Sequence, residues 1–171
     1  MDFELQPTLE GELVALRPLR EADWDALYAV ASDPLIWEQH PARDRWREDV
    51  FRVFFREAMA SGGALAIIDR ADGRMIGSSR FHGWDDQARE VEIGWTFLAR
   101  SHWGGRYNGE MKALMLAHAF RFADGAIFVI GPDNMRSRRA VEKIGGVLAG
   151  RRRDDTGRDS VVYRIAAPSR R

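Results

Sequence analysis

The spacing of apolar residues along the chain predicts eleven elements of secondary structure. Runs in which apolar residues alternate with polar ones, or follow one another over a few positions, predict strands. These runs are residues 13–18, 64–69, 75–82, 90–98, 127–130, 147–152 and 160–165. Runs in which apolar residues recur every three or four positions predict helices over residues 21–31, 44–60, about 110–123 and 135–144. The order β-α-α-β-β-β-α-β-α-β-β is typical of a mixed α/β domain whose first half is mainly antiparallel.

Proline and glycine mark several boundaries between these elements. Pro18 ends the first strand, Pro34 ends the first helix, and the sequence Arg-Ala-Asp-Gly at residues 70–73 predicts a hairpin turn. A chain of 171 residues has the length of one ordinary domain. We therefore expect a single domain over residues 1–166 and a flexible tail at residues 167–171, which are small, polar and basic.

The composition argues against several classes of function. The 26 basic and 26 acidic residues balance, so no overall positive field attracts nucleic acid. The chain has no cysteine and its four histidines lie far apart, so we expect no disulfide, no cysteine nucleophile and no metal. Neither a signal peptide nor an apolar run long enough to span a bilayer is visible, and we expect a cytoplasmic protein with no membrane partner.

A glycine-containing segment precedes the third predicted helix. It reads Trp103-Gly104-Gly105-Arg106-Tyr107-Asn108-Gly109. A helix start presents unpaired N–H groups and a partial positive charge, and glycines ahead of it let a phosphate approach the backbone. A plain turn is equally compatible with the segment. The segment is neither a Walker phosphate loop nor a dinucleotide fingerprint, because its glycine spacing differs from both and no Gly-Lys-Ser/Thr follows.

A second segment of interest covers the fourth predicted helix. It reads Asn134-x-x-Ser137-x-x-x-x-Glu142-Lys143-x-Gly145. Its ordinary interpretation is an asparagine N-cap at one end of the helix and a glycine C-cap at the other. The arginines within it are typical of a solvated helix face.

A third segment, near the start of the chain, completes a recognisable set. It reads Leu16-Arg17-Pro18-Leu19-Arg20-Glu21-Ala22-Asp23. With these three segments in this order, the sequence resembles the GNAT N-acetyltransferase superfamily, and most of all the branch that includes the ribosomal-protein N-terminal acetyltransferases. The resemblance covers nearly the whole chain. It implies an α/β (α+β) GNAT fold: a mixed, mostly antiparallel seven-stranded sheet, splayed between strands 4 and 5 and flanked by about four helices.

The resemblance also implies an activity, which is transfer of an acetyl group from acetyl-CoA to a primary amine. The amine would attack directly in a ternary complex, and it would belong to a small molecule or to the N-terminus of a peptide. In this family acetyl-CoA is the acyl donor and lies in the opening of the sheet. Relatives are often dimers, and on that ground alone a homodimer is expected.

The resemblance assigns binding roles to individual positions. The pantetheine arm pairs with the splayed strand at Trp95, Thr96, Phe97 and Leu98. The pyrophosphate lies on the backbone of Trp103, Gly104, Gly105, Arg106, Tyr107, Asn108 and Gly109. The remaining roles fall on Asn134 and Ser137 at the pantetheine arm and the sulfur, on Arg136 and Arg139 at the 3′-phosphate of CoA, and on Trp37 and His40 in the wall of the acceptor site.

The chain departs from the family pattern at several of these positions. Trp103 holds the first place of the pyrophosphate loop, Arg106 replaces its central glycine, and Asn108 replaces its final glycine or alanine. Arg106 needs either an ordinary backbone angle or a strained one, and its guanidinium is also able to reach a phosphate. Val141 stands where some relatives have a tyrosine acid, so Ser137 or water must protonate the leaving thiolate.

An alkylamine is mostly protonated at pH 7, so the reaction needs a base. The first candidate is Glu92, which lies on the splayed strand; a solvent-facing carboxylate is the alternative interpretation. His82, at the end of the preceding strand, is the second candidate, although a lone histidine there is more often incidental. A backbone N–H near Phe97 is expected to hold the oxyanion.

Two other functions compete with the acetyltransferase hypothesis. The altered pyrophosphate loop and the missing tyrosine suit a non-catalytic CoA-binding or sensory module on the same fold. The run Arg151 to Arg153 suits a nucleic-acid-associated module, which the zero net charge and the absence of a stacking motif oppose. Turnover separates the enzyme from the binding module, and salt-dependent binding to an oligonucleotide identifies the third.

Overall fold

A computed structural model describes residues 2–169 and contains one eight-stranded sheet. Its strands are β1 (Leu9–Glu10), β2 (Val14–Pro18), β3 (Ala64–Asp69), β4 (Met75–Asp85), β5 (Glu90–Leu98), β6 (Gly125–Ile130), β7 (Val147–Arg153) and β8 (Asp159–Ala166). They lie in the order β1-β2-β3-β4-β5-β6-β8-β7. Every neighbouring pair is antiparallel except β5 with β6, which is parallel. The prediction of a mixed, mostly antiparallel sheet is therefore confirmed.

The strand count differs from the expected seven because of β1. This strand has only two residues, Leu9 and Glu10, which pair with Leu16 and Ala15 of β2. Two residues are too few to show an alternation of apolar and polar positions, so the sequence pattern carried no signal for it.

Four α-helices flank the sheet, as expected. They are α1 (Trp24–Ala31), α2 (Glu48–Ser61), α3 (Arg106–Ala119) and α4 (Met135–Lys143). The predicted start of the second helix at residue 44 was wrong, because residues 42–47 form tight turns in which the N–H groups of Arg45 and Arg47 bond to carbonyls three residues earlier. The third helix starts earlier than predicted and includes residues 106–109. None of the helices described within residues 2–169 is long and apolar enough to cross a membrane.

The core consists of two apolar clusters, one on each face of the sheet. On one face α3 contributes Met111 and Met115, which pack with Phe81 of β4 and Tyr163 of β8. On the other face the apolar residues of α1 and α2 pack with the loop between these helices and with Phe97 of β5. Both faces of the central strands are therefore covered, and functional side chains must lie where the covering helices leave a gap.

Residues 16–23, the N-terminal segment of the family resemblance, form a hydrogen-bonded ion pair at the start of α1. Asp23 is 8% exposed, and its carboxylate accepts hydrogen bonds from both terminal nitrogens of Arg17, at 2.8 and 2.9 Å. It also accepts the backbone N–H of Arg20 at 2.8 Å. The Arg17 hydrogen bond helps to lower the pKa of Asp23 against the opposing effect of burial. This segment holds β2 to α1 and does not line the site.

A second, partly buried contact joins α3 to the N-terminal part of the chain. The Glu110 carboxylate accepts the backbone N–H groups of Glu12, Leu13 and Val14 at 2.7–2.8 Å. We expect Glu110→Ala to lower the free energy of unfolding by about 2–3 kcal/mol, because it leaves these donors unpaired beside the core. Urea denaturation measures the loss. Glu142→Ala removes an exposed carboxylate from α4 and should change stability by less than about 0.5 kcal/mol; equal losses in the two variants would contradict the assignment.

The sheet is splayed between β5 and β6, where the family resemblance placed the opening. The two strands pair only from Glu90 to Glu92, opposite Gly125 to Ile127, and diverge beyond that point. A bulge in β5 accompanies the divergence: Trp95 has φ 53°, and the register with β4 shifts between Ser78 and Arg80. A bulge bends its strand and increases its twist, so β5 turns away from β6 at this point.

The predicted division into a domain at residues 1–166 and a tail at residues 167–171 stays a prediction. The backbone N–H of Ala167 bonds to the carbonyl of Asp124 at 2.8 Å. Arg170 and Arg171 lie outside the described residues.

Candidate active site

A cavity of about 460 Å³ occupies the opening between β5 and β6. The starts of α3 and α4, the loop between α1 and α2, and the turn between β7 and β8 complete its wall. One cavity therefore collects side chains from distant parts of the sequence, and the α1–α2 loop lies against the start of α4 in its wall. A volume of this size is typical of a small-molecule site.

The exposed edge of β5 forms one wall of the cavity. Trp95, Thr96, Phe97 and Leu98 all line it, and past Glu92 the edge of β5 that faces β6 has no strand partner among residues 2–169. The carbonyl of Leu98 is partly engaged, because it accepts the indole N–H of Trp103 at 2.9 Å. The remaining edge can pair with an extended, amide-containing ligand, in the way that one strand pairs with another.

The glycine-containing segment adopts a conformation that suits anion binding. Gly104 takes the left-handed region at φ 70°, Gly105 is extended at the N-cap of α3, and Arg106 begins the helix with ordinary angles. Arg106 therefore causes no backbone strain. The N-cap of α3 makes no side-chain hydrogen bond, so the N–H groups of the first turn lack the usual side-chain acceptor.

Only part of this segment faces the cavity. Trp103, Gly104 and Asn108 line it, whereas Gly105, Arg106, Tyr107 and Gly109 do not. Tyr107 faces a separate cavity of about 280 Å³ beside Asp69. Its ring packs edge-on against His102 at 4.6 Å between centroids, and His102 in turn meets Asp69 at 2.9 Å. The side chain of Tyr107 thus packs away from the main cavity.

The start of α4 places Asn134 and Ser137 in the cavity wall. Asn134 is 4% exposed and caps the helix, its side-chain oxygen accepting the N–H of Ser137 at 3.4 Å. Val141 lines the same wall one turn further along. The ordinary N-cap interpretation of Asn134 is confirmed, and the cap residue also faces the cavity.

The two arginines assigned to the 3′-phosphate of CoA differ in their surroundings. Arg136 lines the cavity, donates to the carbonyl of Ile36 at 2.8 Å and stacks on the ring of Trp103 at 3.9 Å. Arg139 is exposed and outside the lining. Arg136 therefore ties α4 to the α1–α2 loop and to the glycine segment, while Arg139 is open to solvent.

Trp37 and His40, in the loop between α1 and α2, both line the cavity. The buried Trp37 donates its indole N–H to the carbonyl of Ala31 at 2.8 Å and packs against Phe97 at 5.1 Å between centroids. His40 accepts the N–H of Ala42 at Nδ1, at 2.9 Å. Burial lowers the pKa of His40 to about 3, with nearby arginines adding to the effect. The ring is therefore neutral at pH 7, and we assign the proton to Nε2, which makes it a hydrogen-bond donor.

The structure separates the two candidate bases. Glu92 lines the cavity with 13% of its side chain exposed; burial raises its pKa, and the charges of Arg152 and Arg80 oppose that shift. His82 pairs with Glu92 in the β4–β5 register but is exposed and outside the lining. Its ring packs edge-on against Trp95 at 5.2 Å between centroids. Of the two candidates, only Glu92 is a largely buried cavity residue with a shifted pKa, which is typical of a functional titratable group.

Sequence reasoning missed Lys112, which lies on α3 and lines the cavity. Its Nζ donates to Thr96 Oγ1 at 2.8 Å and lies 5.4 Å from the ring centre of Phe128 on β6, so it spans the opening of the sheet. Burial lowers its pKa to about 7. The sequence did set this residue apart, because Lys112 is one of only two lysines among the 26 basic residues, the other being Lys143.

Arg45 and Arg158 were missed as well. Arg45 lies in the turns before α2 and Arg158 in the β7–β8 turn, and both line the cavity beside His40. Charged residues in loops are normally solvated, so no local pattern distinguished these two from the other arginines. No group of His, Asp or Glu side chains suited to a metal occurs within residues 2–169.

Comparison with known proteins identifies several relatives. The family model described as an acetyltransferase (GNAT) domain matches residues 14–147. A solved structure described as an acetyltransferase from T. thermophilus is 29% identical, with coverage of 93% of this chain and 88% of that one and a TM-score of 0.75.

Two structures with bound ligands share the fold. Mycobacterium smegmatis RimJ, in complex with CoA-disulfide, is 23% identical over 98% of this chain and 90% of its own, with a TM-score of 0.70. The microcin C7 self-immunity acetyltransferase MccE, in complex with acetyl-CoA and AMP, is 14% identical over 96% and 99%, with a TM-score of 0.76.

Proposed function

The chain belongs to the GNAT acetyltransferase family, and on that premise we propose that it transfers the acetyl group of acetyl-CoA to a primary amine. The attack is direct, in a complex that holds donor and acceptor together. The observation that carries the proposal is the cavity between the diverging strands β5 and β6, which joins a free strand edge to a helix start with no side-chain cap.

The residues present fit acetyl-CoA as the donor. The free edge of β5 at Trp95–Leu98 suits the amide groups of the pantetheine arm. The first turn of α3 after Gly104 suits the pyrophosphate, since N–H groups and the helix dipole favour an anion there. Arg136 and Arg139 are the proposed contacts of the 3′-phosphate, and Asn134 that of the pantetheine arm. Bound acetyl-CoA supplies a thioester, whose carbonyl carbon accepts the amine and whose thiolate leaves.

Glu92 is the proposed base, because it is the candidate that lines the cavity. It takes a proton from the acceptor ammonium, directly or through a water, and so frees the nitrogen lone pair for attack. Burial favours this role, since a raised pKa makes a carboxylate a stronger base. The N–C bond then forms as the C–S bond breaks, and the products are an amide and the thiol of CoA.

Two further groups of this chain assist the transfer in the proposal. A backbone N–H of β5 near Phe97 holds the carbonyl oxygen as negative charge develops on it. Ser137, on the first turn of α4, passes to the leaving thiolate, directly or through a water, the second proton that the attacking nitrogen gives up as the amide forms. Val141, which stands where some relatives have a tyrosine acid, has no group able to do so.

Titration of the purified protein with acetyl-CoA, by calorimetry, tests the donor site. We expect micromolar binding, weaker binding of ATP, and release of CoA thiol when amines are added. The non-catalytic module predicts acetyl-CoA binding without thiol release for any amine. Absence of acetyl-CoA binding would remove both functions.

A glycine pair tests the pyrophosphate loop itself. Gly104 and Gly73 have φ 70° and 75°, and in both cases the space around a built Cβ is open. Valine at either position is strained to a similar extent, by about 1–3 kcal/mol. We expect Gly104→Val to raise the Kd of acetyl-CoA about tenfold or more and Gly73→Val, in the β3–β4 hairpin, to leave it unaltered. Equal effects on Kd would exclude the loop from the donor site.

A further inference from the structure

The part of the cavity beside Trp37 and His40, which we call the acceptor end, is rich in guanidinium groups. Arg45 and Arg158 line it, and Arg80 of β4 lies against Trp95, which lines it too. Arg152 of β7 approaches the Glu92 carboxylate at 3.6 Å. One carboxylate, that of the proposed base, is therefore surrounded by several positive charges.

Two of these arginines lack an acidic partner. Within residues 2–169, neither Arg45 nor Arg80 forms an ion pair or a side-chain hydrogen bond. Aromatic rings hold both: the guanidinium carbon of Arg45 lies 4.7 Å from the ring centre of Phe54 and 5.4 Å from that of Trp37. That of Arg80 lies 5.7 Å from Phe54 and 4.3 Å from Trp95. Two guanidinium groups of the same charge thus contact one aromatic ring, that of Phe54.

Arg80 is the more deeply buried of the pair. It is 6% exposed, and its Nε is buried without a hydrogen-bond partner among the described residues. Burial of an unpaired charge is strongly destabilising, and the aromatic contacts offset only part of that cost. Arg80 does not itself line the cavity, so Arg45 is the guanidinium of this pair that a ligand in the cavity can reach.

The neighbouring acids form no ion pair with Arg45, Arg80 or Arg158 within residues 2–169. Glu57 and Asp44 act on these arginines only through space, beyond ion-pair distance. Asp154 lines the cavity, but its carboxylate accepts two N–H groups and a hydroxyl of its own turn. Burial, with the charges of Arg158 and Arg80, lowers the pKa of Arg45 to about 10, so it stays charged at pH 7. Among the charged side chains that line the cavity, the basic ones outnumber the acidic ones: Arg45, Lys112, Arg136 and Arg158 against Glu92 and Asp154.

A plain alkylammonium would be repelled by this field on its way to Glu92. An amine that also carries an anion would not be, because the anion meets the arginines while the amine meets the carboxylate. Resting on the proposed function, we infer that the acceptor is a small amine bearing a carboxylate or phosphate group, which Arg45 binds with Arg80 and Arg158 beside it. The cavity must also admit the acetyl-pantetheine end, which limits the acceptor to the size of a metabolite or a peptide terminus.

Matched acceptors test the inference through thiol release. β-Alanine is compared with propylamine, and 2-aminoethyl phosphate with ethanolamine, at saturating acetyl-CoA. We expect kcat/KM for the better anionic acceptor to exceed that of its neutral partner by about tenfold or more. The pair with the larger ratio identifies carboxylate or phosphate. Neutral amines that react as fast as the anionic ones, or faster, would overturn the inference.

The variant Arg45→Met tests whether Arg45 causes this preference, because it removes the guanidinium and keeps an apolar side chain. Its matched control is Arg43→Met, which removes an exposed arginine outside the cavity lining. We expect Arg45→Met to bring the ratio of anionic to neutral acceptors close to one, and Arg43→Met to retain the wild-type ratio. A ratio that survives in Arg45→Met would contradict the assignment.

A binding measurement separates this inference from the proposed function. Propanoate and propyl phosphate carry the anion without the amine, and calorimetry measures their binding to the protein in the absence of acetyl-CoA. Binding that is at least tenfold weaker in Arg45→Met than in Arg43→Met supports the anion site even if acetyl-CoA never turns over. If the wild type binds neither anion, the inference is wrong, and the acetyltransferase proposal is unaffected.

Discussion

Glu92→Gln is expected to lower kcat/KM for an alkylamine acceptor by about 10²–10³-fold at pH 7, the range typical of a lost general base. The amine's pKa is about 10.4, so the free amine becomes common only as the pH approaches that value. The wild-type enzyme removes the proton with the Glu92 carboxylate, whereas the variant depends on the free amine in solution. The ratio of wild type to variant should therefore fall as pH rises from 7 to 10.

Initial rates of thiol release across this pH range measure the ratio. Glu90→Gln is the matched control, because Glu90 lies on the same strand, pairs with Arg164 and does not line the cavity. It should keep kcat/KM within about threefold of the wild type. A Glu92→Gln ratio that stays flat with pH would show that Glu92 positions the acceptor and does not take its proton.

Lys112→Met is expected to stabilise the protein at pH 6–7, by roughly 3–5 kcal/mol. Burial lowers the folded-state pKa of Lys112 to about 7, against about 10.4 in an unfolded chain, and each pKa unit corresponds to about 1.4 kcal/mol. Below pH 7 both states carry the proton, and the full cost of the buried charge is present. Between pH 7 and 10 the unfolded chain binds more protons, so the free energy of unfolding should rise with pH in the wild type.

Urea denaturation between pH 6 and 10 tests this behaviour. The difference between the wild type and Lys112→Met should shrink as pH rises, because the wild type gains stability and the variant lacks this titration. Lys143→Met, at an exposed position of α4, should follow the wild type at every pH. Parallel curves for the wild type and Lys112→Met would show that the ammonium is solvated in the cavity.

The family resemblance predicted where the sheet is splayed, and the hydrophobic pattern alone predicted only the strands on either side. Residues 90–98 alternate cleanly, which fixes one face of β5 against the core, and a glycine segment and a helix follow directly. This order matches the family, and it is the family resemblance that places the opening at this strand. The bulge that opens it could not be predicted, because φ 53° falls on Trp95 and a bulky residue gives no local sign of a left-handed conformation.

The sequence pointed to the cavity residues that have a special backbone conformation. It did not point to the charged residues whose burial places them in the cavity wall. The cap residue Asn134 and the turn at Gly104 have local signatures. Lys112 and Arg45 do not, since each is a single charged residue whose burial depends on elements far away in the sequence. The choice between Glu92 and His82 likewise needed tertiary packing, because the two residues are direct neighbours in the strand register.

Arg136 has a consequence for how the proposed donor and acceptor affect each other's binding. Its guanidinium fastens the loop that carries Trp37 and His40 to the helix that carries Asn134 and Ser137. A donor that displaces Arg136 from Ile36 or from Trp103 therefore loosens or reshapes the acceptor wall at the same moment. Donor and acceptor are then energetically coupled ligands, and the factor by which one alters the affinity of the other must hold in both directions.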